Sequence, residues 1–527
     1  MASKANLVNL DAMISREDFS AQSDNDLSFE SIQNIAMRDI GMLSGLLRKP
    51  DFQRETNHWT PEQVVSLLKS FVTGDLIPSV ILWKSSFVFV IDGGHRLSVL
   101  RAWKENDYGD GTISQKFFGN SISVEQRKIA QKTRELVDST VGKWSEIERK
   151  MQDSNNDHDE SRRLTNIYVR ALQVQWVKGD SDKAETSFFN INKKGTPLDE
   201  VEETLLRHRK KPISIAARAI IRAGKGHRYW SSFPEDKTKK IEELSSNINS
   251  SLFDPDVKSQ IKTLDLPLGG SRGVRLALDI LIDLMSISVS QSENYQKELL
   301  NQVEDSDGSE TVVVLEKTTK LLNWITGNDK GSLGLHPAVY FYSASGRHVN
   351  PMFLGTILFI AKKLKFNDKD FFKRFTSIRF NLEETLINNK SMLASLVNRA
   401  GHKKRTEYYS NLFESMIDFL LEIKKKDKGM SDFSLTESEI LQLAHFEGNI
   451  LSGTSISNAT KISEEAKNAV FIDTALASAI TCPICRGYLD PSKSVSYDHI
   501  KRVADGGKGS AKNTQLTHPY CNMSVKN

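Results

Sequence analysis

The sequence predicts an α+β protein of several domains: an α/β N-terminal domain, a helical middle, and a small C-terminal module drawn together by clustered cysteines. Three observations predict it. Val/Ile/Phe-rich runs at 80–83 and 87–91 read as paired strands and pass into a helical pattern. Apolar helical patterns dominate from about 240 to 425. All three cysteines fall in C-P-I-C, with Cys482 and Cys485, and H-P-Y-C-N, with His518 and Cys521.

A chain of 527 residues is long enough for more than one core. Its 71 Lys and Arg against 67 Asp and Glu leave +4, so net charge alone does not announce a nucleic-acid binder. Cysteines confined to one cluster argue for a reducing compartment without disulfides. Met1 to Glu30 is polar and acid-bearing, and the longest apolar run, Met352 to Ala361, is too short to cross a bilayer. The expectation is a soluble cytoplasmic protein with no membrane partner.

The first domain is expected over 1–205. It opens with R-K-P-D-F-Q-R-E-T-N-H-W at 48–59 and a helix over 61–71. The second of the paired strands ends on Asp92-Gly93-Gly94-His95-Arg96, with a helix from Leu97. A strand running through glycines into a helix N-terminus suits an anion: glycines admit close backbone approach, helix-end N–H groups point outward, and Arg96 adds a fork. An ordinary tight turn has the same letters. Residues 150–163 are polar and aperiodic, an expected exposed loop. Further on, A-E-T-S-F-F-N-I-N-K-K-G-T-P-L-D-E-V-E spans 184–202.

These three segments, in this order, resemble the DUF262 branch of the ParB/sulfiredoxin-like superfamily, which carries F-Q-R, D-G-Q-Q-R and F-x-x-I-N-x-x-G-x-x-L-x-x-x-E. The resemblance implies a ParB/sulfiredoxin-like fold that binds, and in some members hydrolyses, a nucleoside triphosphate. Carried over by position, the site would use Arg54, Asp92, Gly93, Gly94, His95 and Arg96, with Asn192 and Lys194. Gly94 stands where the family has its first Gln, which bears on hydrolysis more than on binding. Sulfiredoxin chemistry is ruled out by the lack of a cysteine in this region.

The middle, 206–425, is expected to be a helical bundle, with helical patterns at 276–285, 311–325 and 352–364. Between Glu203 and Glu235 no acid occurs, and 213–223 reads as an amphipathic helix. Arg218, Arg222 and Lys225 follow i, i+4, i+7 spacing on one face, while Ile213, Ala217 and Ile220 share another. Such a face suits DNA phosphates, or is a solvated face paired with acids from elsewhere. A charged linker is expected over 426–459.

The tail, 460–527, opens with a helix at 463–479. Cys482, Cys485, His518 and Cys521 form two close ligand pairs, which suits a tetrahedral structural Zn²⁺. Between them lie S-Y-D-H-I at 496–500 and K-N-T-Q-L at 512–516, hard donors and an imidazole suited to metal-assisted phosphodiester chemistry. Lys501, Arg502 and Lys508 make the intervening loop basic, as a DNA-binding loop requires. A zinc ribbon that only binds DNA or protein is the plainer alternative.

This tail resembles the HNH endonucleases, whose zinc-stapled ββα-metal fold presents its groups in this order. The resemblance implies that His499 is the general base, that Asp498 and Asn522 hold a catalytic Mg²⁺ or Mn²⁺, and that Asn513 is an orienting residue. A DUF262-type front joined to an HNH tail is associated with bacterial antiphage defence, which implies a nucleotide-gated DNA endonuclease, with NTPase activity as an additional expectation. The alternative is a nucleotide-dependent DNA sensor that does not cut. Cutting both strands would require a homo-oligomer or two visits, and the sequence leaves room for a separate recognition partner.

Overall fold

The computed structural model describes residues 7–526 apart from 18, 20–31, 51–52, 54–55, 57–58, 119–121, 123, 153–157, 195–199, 226–229, 231–232, 258–259, 271–273, 291–293, 367, 369, 402–403, 427–432 and 447–461, and apart from the side chains of 124, 182, 189, 192–194, 202 and 274–276. The chain forms two compact units, Met1–Arg209 with Lys225–Ser231, and Lys210–Gly224 with Ser232–Asn527.

Among the described residues the first unit holds a mixed sheet of six strands: β1 (Arg16–Glu17), β2 (Asn34–Ala36), β3 (Leu47–Pro50), β4 (Val80–Lys84), β5 (Val88–Asp92) and β6 (Ala171–Val177). Their order is β1-β3-β5-β4-β6-β2; β4 runs antiparallel to β5 and parallel to β6. The apolar runs are continuous because both faces of the sheet are covered. Val88 and Val90 face one core with Val80 and Leu82, whereas Phe89 and Ile91 face a second with Trp83.

The first core is roofed by helices. Of α1 (Met37–Leu43), α2 (Pro61–Thr73), α3 (Gly94–Glu105), α4 (Thr112–Phe118), α5 (Val124–Thr140), α6 (Trp144–Met151) and α7 (His158–Val169), α2 and α3 contribute Val64, Leu68, Phe71, Leu97 and Leu100. The second core takes Ala184 and Phe188 from α8 (Ser181–Lys194) and Leu206 from α9 (Glu200–Arg207). Thr60 and Gln63 start α2 with a reciprocal capping box, Pro61 preorganises its first turn, and Gly74 at φ +93° ends it. The stretch 150–163 is not one loop: α6 reaches Met151, and α7 begins at His158.

The second unit holds α10 (Pro212–Ile221), α11 (Glu235–Phe253), α12 (Val274–Val289), α13 (Glu298–Asn301), α14 (Ser309–Ile325), α15 (Pro337–Tyr340), α16 (Asn350–Lys365), α17 (Phe371–Asn388), α18 (Lys390–Arg399), α19 (Arg405–Lys426), α20 (Glu437–Leu443), α21 (Glu464–Ala477), and the hairpin β7 (Ser496–His499) and β8 (Thr514–Thr517). The helices at 276–285, 311–325 and 352–364 fall inside α12, α14 and α16. At Gly355 a Cβ would lie 2.8 Å from the Thr406 carbonyl oxygen, so glycine sets how closely α16 and α19 approach.

Two expectations for this unit need correction. The helix at 213–223 is not a half-solvated amphipath: Ile213, Ser214, Ile215, Ala216, Ala217, Ala219 and Ile220 are all buried. Small residues on its polar-looking side let neighbouring helices close over it, as happens for a helix apolar all round. It ends at Ile221, and the chain leaves through Ala223 and Gly224 at positive φ, so Lys225 shares no helical face with Arg218 and Arg222. Within the expected linker at 426–459, Leu435 and Ile440 are buried, and the Leu435 N–H donates to Thr385 Oγ1 at 2.9 Å. That segment packs on α17 and is no free tether.

Candidate metal centre and active site

Cys482, Cys485, His518 and Cys521 are all buried, and their ligand atoms lie within 4.8 Å of one another. The backbone builds this closeness. Cys482 N–H donates to the Gly487 carbonyl at 2.8 Å and Arg486 N–H to the Cys482 carbonyl at 2.7 Å, closing a knuckle with Arg486 at φ +61°. His518 Nε2 lies 2.9 Å from the Tyr488 carbonyl, which fixes the ring and turns Nδ1 toward the sulfurs, 3.3 Å from Cys485 Sγ. Burial, then the Arg379 charge, lower the His518 pKa and keep the imidazole neutral, the form a ligand needs. Hydrogen bonds from Cys485 and Cys521 pull the Cys482 thiol far below the usual thiol range, while burial pushes Cys485 up and the hydrogen bonds to Cys482 and Cys485 push Cys521 up, so without a cation the trio shares one thiolate. Three sulfurs and one nitrogen at this spacing fit a tetrahedral structural zinc.

The knuckle is knitted into the helices. Arg379 and Glu383 on α17 are a fully buried pair at 2.6 Å. Arg379 also donates to the carbonyls of Leu333 and Gly334, the latter at 2.9 Å. Glu383 accepts from Tyr340 Oη at 2.8 Å and from Tyr488 N–H at 2.6 Å. A Cβ on Gly487 would sit 2.6 Å from Arg379 Nε, so only glycine lets the knuckle seat there. Three thiolates and a neutral imidazole around a divalent ion leave one net negative charge, and the Arg379 guanidinium is its buried counter-charge. Burial opposes that guanidinium's charge, but Glu383, Tyr340, Cys485 and Cys521 outweigh it and hold Arg379 protonated.

Above the knuckle, β7 and β8 pair antiparallel, with Tyr497 opposite Leu516 and His499 opposite Thr514. Alternation turns Asp498 inward, 6 % exposed, and leaves His499 half-buried. Asn513 organises the loop between the strands. Its Oδ1 accepts from Lys501 N–H at 2.8 Å, and its Nδ2 donates to the Lys501 and Lys508 carbonyls at 3.0 and 2.9 Å. Asn522, in the short π-helical turn Cys521–Val525, donates its amide nitrogen to Ser496 Oγ at 2.8 Å and to the Tyr497 carbonyl at 3.2 Å.

Asp498, His499, Asn513 and Asn522 thus belong to one small module, with Asn522 at the start of β7 and Asn513 on the loop beyond its end. Two of its partners were missed in the sequence. Asp498 Oδ2 accepts from Gln515 Nε2 at 2.8 Å and from Lys526 Nζ at 2.6 Å, and Lys526 also reaches the His499 carbonyl. Lys526 lies four residues after Asn522 and Gln515 lies opposite Asp498 across the hairpin, spacings that could have found them. Lys501, Arg502 and Lys508 are exposed on the loop. Arg218 in α10 and Arg222 at its C-terminal end are half-buried, and Lys225 is exposed.

In the first unit, Gly93 takes φ +92° and the helix α3 starts at Gly94 with no side-chain cap. A Cβ at Gly93 would meet Val80 Cγ2 at 3.0 Å, so that glycine is required by packing as well as by φ. Arg96 donates to Asp92 at 2.5 Å and to the Ser79 carbonyl at 3.1 Å, and His95 stacks on Trp59 with ring centroids 5.4 Å apart. Arg54 and the side chains of Asn192 and Lys194 lie outside the described residues. Asp92, Gly93, Gly94, His95 and Arg96 are thus brought together at the head of α3.

Residues 32–208 match the N-terminal domain of the GmrSD restriction endonuclease. The GmrSD-type segment begins just before β2, ends just after α9, and includes Asp92–Arg96 and the α8 segment; the C-terminal module lies wholly outside it. No curated protein and no solved structure matches the chain. No helix among the described residues is long and apolar enough to cross a membrane.

Proposed function

We propose that this chain is a DNA endonuclease of a restriction system, with a front domain that binds a nucleoside triphosphate and a C-terminal HNH-type module that hydrolyses the phosphodiester bond. What carries the reading is the hairpin: an inward Asp498, an adjacent His499, and an Asn513-braced basic loop, seated on a knot of three cysteines and one histidine. The GmrSD-type segment supports the restriction context, and it fits antiphage defence.

In this mechanism His499 takes a proton from water as that water attacks the scissile phosphorus; the opposite P–O bond breaks, and the departing oxygen takes a proton from solvent. Asn513 holds the loop that presents Lys501 and Lys508 to the phosphates. Asp498 and the Asn522 oxygen are donors of the type a hard divalent cation takes, and such a cation, when bound, stabilises the negative charge on the phosphate. Zinc is structural in this scheme. The uncapped head of α3, with Gly93 and Gly94, is where an anion such as a triphosphate would meet backbone N–H groups. Nucleotide binding there acts as the gate by favouring a cutting-competent state.

One observation favours a second reading, a DNA sensor that does not cut: the Asp498 carboxylate is already neutralised by Lys526. A supercoiled-plasmid assay separates the two, run with Mg²⁺ or Mn²⁺, each nucleoside triphosphate in turn, and modified and unmodified DNA. Nicking that disappears in His499→Ala, with zinc content unchanged, supports the endonuclease. DNA binding without cleavage under every condition leaves the sensor.

A further inference from the structure

Beside His499 the hairpin exposes side chains that neither metal binding nor phosphate binding uses. Tyr497 is 72 % exposed, Ile500 55 % and Val503 66 %. Single exposed apolar residues are ordinary, but these three fall within seven positions, around the candidate general base. They do not dangle. The Ile500 N–H donates to the Asn513 carbonyl at 2.9 Å, and the loop folds back so tightly that a Cβ on Gly507 would lie 2.0 Å from the Lys501 carbonyl oxygen. Asn513 clamps both sides of that fold at Lys501 and Lys508. The apolar side chains therefore stand on a braced platform.

The surroundings select the partner. Lys501, Arg502, Lys508 and Lys512 are exposed on the same loop, with Asp505 as its one acid. A basic loop beside an exposed aromatic side chain complements a surface with phosphates outside and stacked, apolar faces inside, which is duplex DNA. Strand alternation puts Tyr497 on the same hairpin face as His499, two residues away, or about 6.6 Å along the strand. That is roughly two 3.4 Å base rises.

We propose that Tyr497 is a wedge that enters the duplex and unstacks a base step about two rises from the phosphate served by His499. This rests on the endonuclease reading and deepens it: the enzyme selects its cutting positions by how easily a step opens. Pyrimidine–purine steps such as TA and CA, and damaged or mismatched positions, should therefore be preferred over stiff A-tracts.

The test uses the full-length protein carrying His499→Ala, so that DNA is bound and not cut, and duplexes with 2-aminopurine placed singly along a binding site. Binding should raise the fluorescence at one position by about three-fold or more, since unstacking relieves quenching. Adding Tyr497→Ala should abolish the rise in the saturated complex while zinc content holds, because the side chain is exposed and lies outside the ligand set. Tyr497→Phe should keep the rise. Lys501→Ala should weaken binding and reduce its salt dependence, yet leave the rise in the saturated complex. In the cutting-competent chain, Tyr497→Ala should flatten the preference among steps. An undiminished rise with Tyr497→Ala, no rise with the intact tyrosine, or an unchanged step preference would overturn the wedge and leave the endonuclease standing. Cleavage that persists with His499→Ala, or no DNA binding by any variant, would instead bring down the endonuclease reading, and the wedge with it.

Discussion

Replacing Arg379 by methionine should separate the two halves of the second unit energetically. The side chain is fully buried and gives Glu383 its ion pair at 2.6 Å. Methionine fills much of the volume but leaves a buried carboxylate facing only Tyr340 Oη and the Tyr488 N–H. Breaking a buried pair in this way costs about 3–5 kcal/mol. At about 1.4 kcal/mol per decade, that raises the unfolding constant roughly 10²- to 10³-fold or somewhat more. For a unit of this size the transition should fall by about 5–8 °C. The assay is calorimetry of the full chain, together with zinc release to a coloured chelator, which should quicken because the counter-charge of the thiolates is gone. Arg379→Met/Glu383→Gln should recover more than half of the loss, since glutamine still offers an acceptor to Tyr340 without a charge to strand. A single variant within about 1 kcal/mol of the parent, or a double variant no better than the single one, would refute the electrostatic account.

Other outcomes follow from the same geometry. Removing the metal with a strong chelator, or Cys482→Ser, should unfold the knuckle and lower the stability of the helices around α17, read by circular dichroism and by proteolysis. Asn513→Ala should cut cleavage by about two orders of magnitude while zinc content holds, because three bonds bracing the loop are lost; unchanged nicking would argue against the orienting role. Gly93→Ala should cost about 1–3 kcal/mol, from positive φ and the Val80 contact, and should reduce nucleotide binding measured by calorimetry. Burial, then Asp279, push the Asp283 carboxyl up to about 7. An acid whose folded pKa is raised stays protonated in the fold while the unfolded chain has released its proton, so stability should fall as pH rises from about 4 to 7 and then level off. Asp283→Asn should flatten that slope and raise the melting temperature at pH 8.

Much of this was legible because the deciding physics was local. The capping box at Thr60 and Gln63, the paired runs at 80–84 and 88–92, and the apolar stripes of α12, α14 and α16 each declare themselves within a few residues. The ligand knot was legible because two close pairs of soft donors have few other uses. What escaped notice was non-local. Strands β1, β2 and β3 are two to four residues long and owe their existence to neighbours rather than to any pattern. The amphipathic reading of 213–223 failed because small side chains such as Ser214, Ala216 and Ala219 do not reveal whether water or another helix lies against them.

The seat of the knuckle on α17 also limits how this protein can be divided. A nuclease hung on a tether could be cut off, purified and joined to another body. Here the helices have committed a buried carboxylate to the Tyr488 backbone and a buried guanidinium to the thiolate cluster, and the tail has committed Lys493 to the carbonyls of Asp254 and Leu266. Excision would strand charge on both sides of the cut. Any exchange of parts between such proteins must therefore carry the α17 pair and the Leu333 and Gly334 carbonyls it grips along with the tail, which makes the helical body and its knot one inheritable piece.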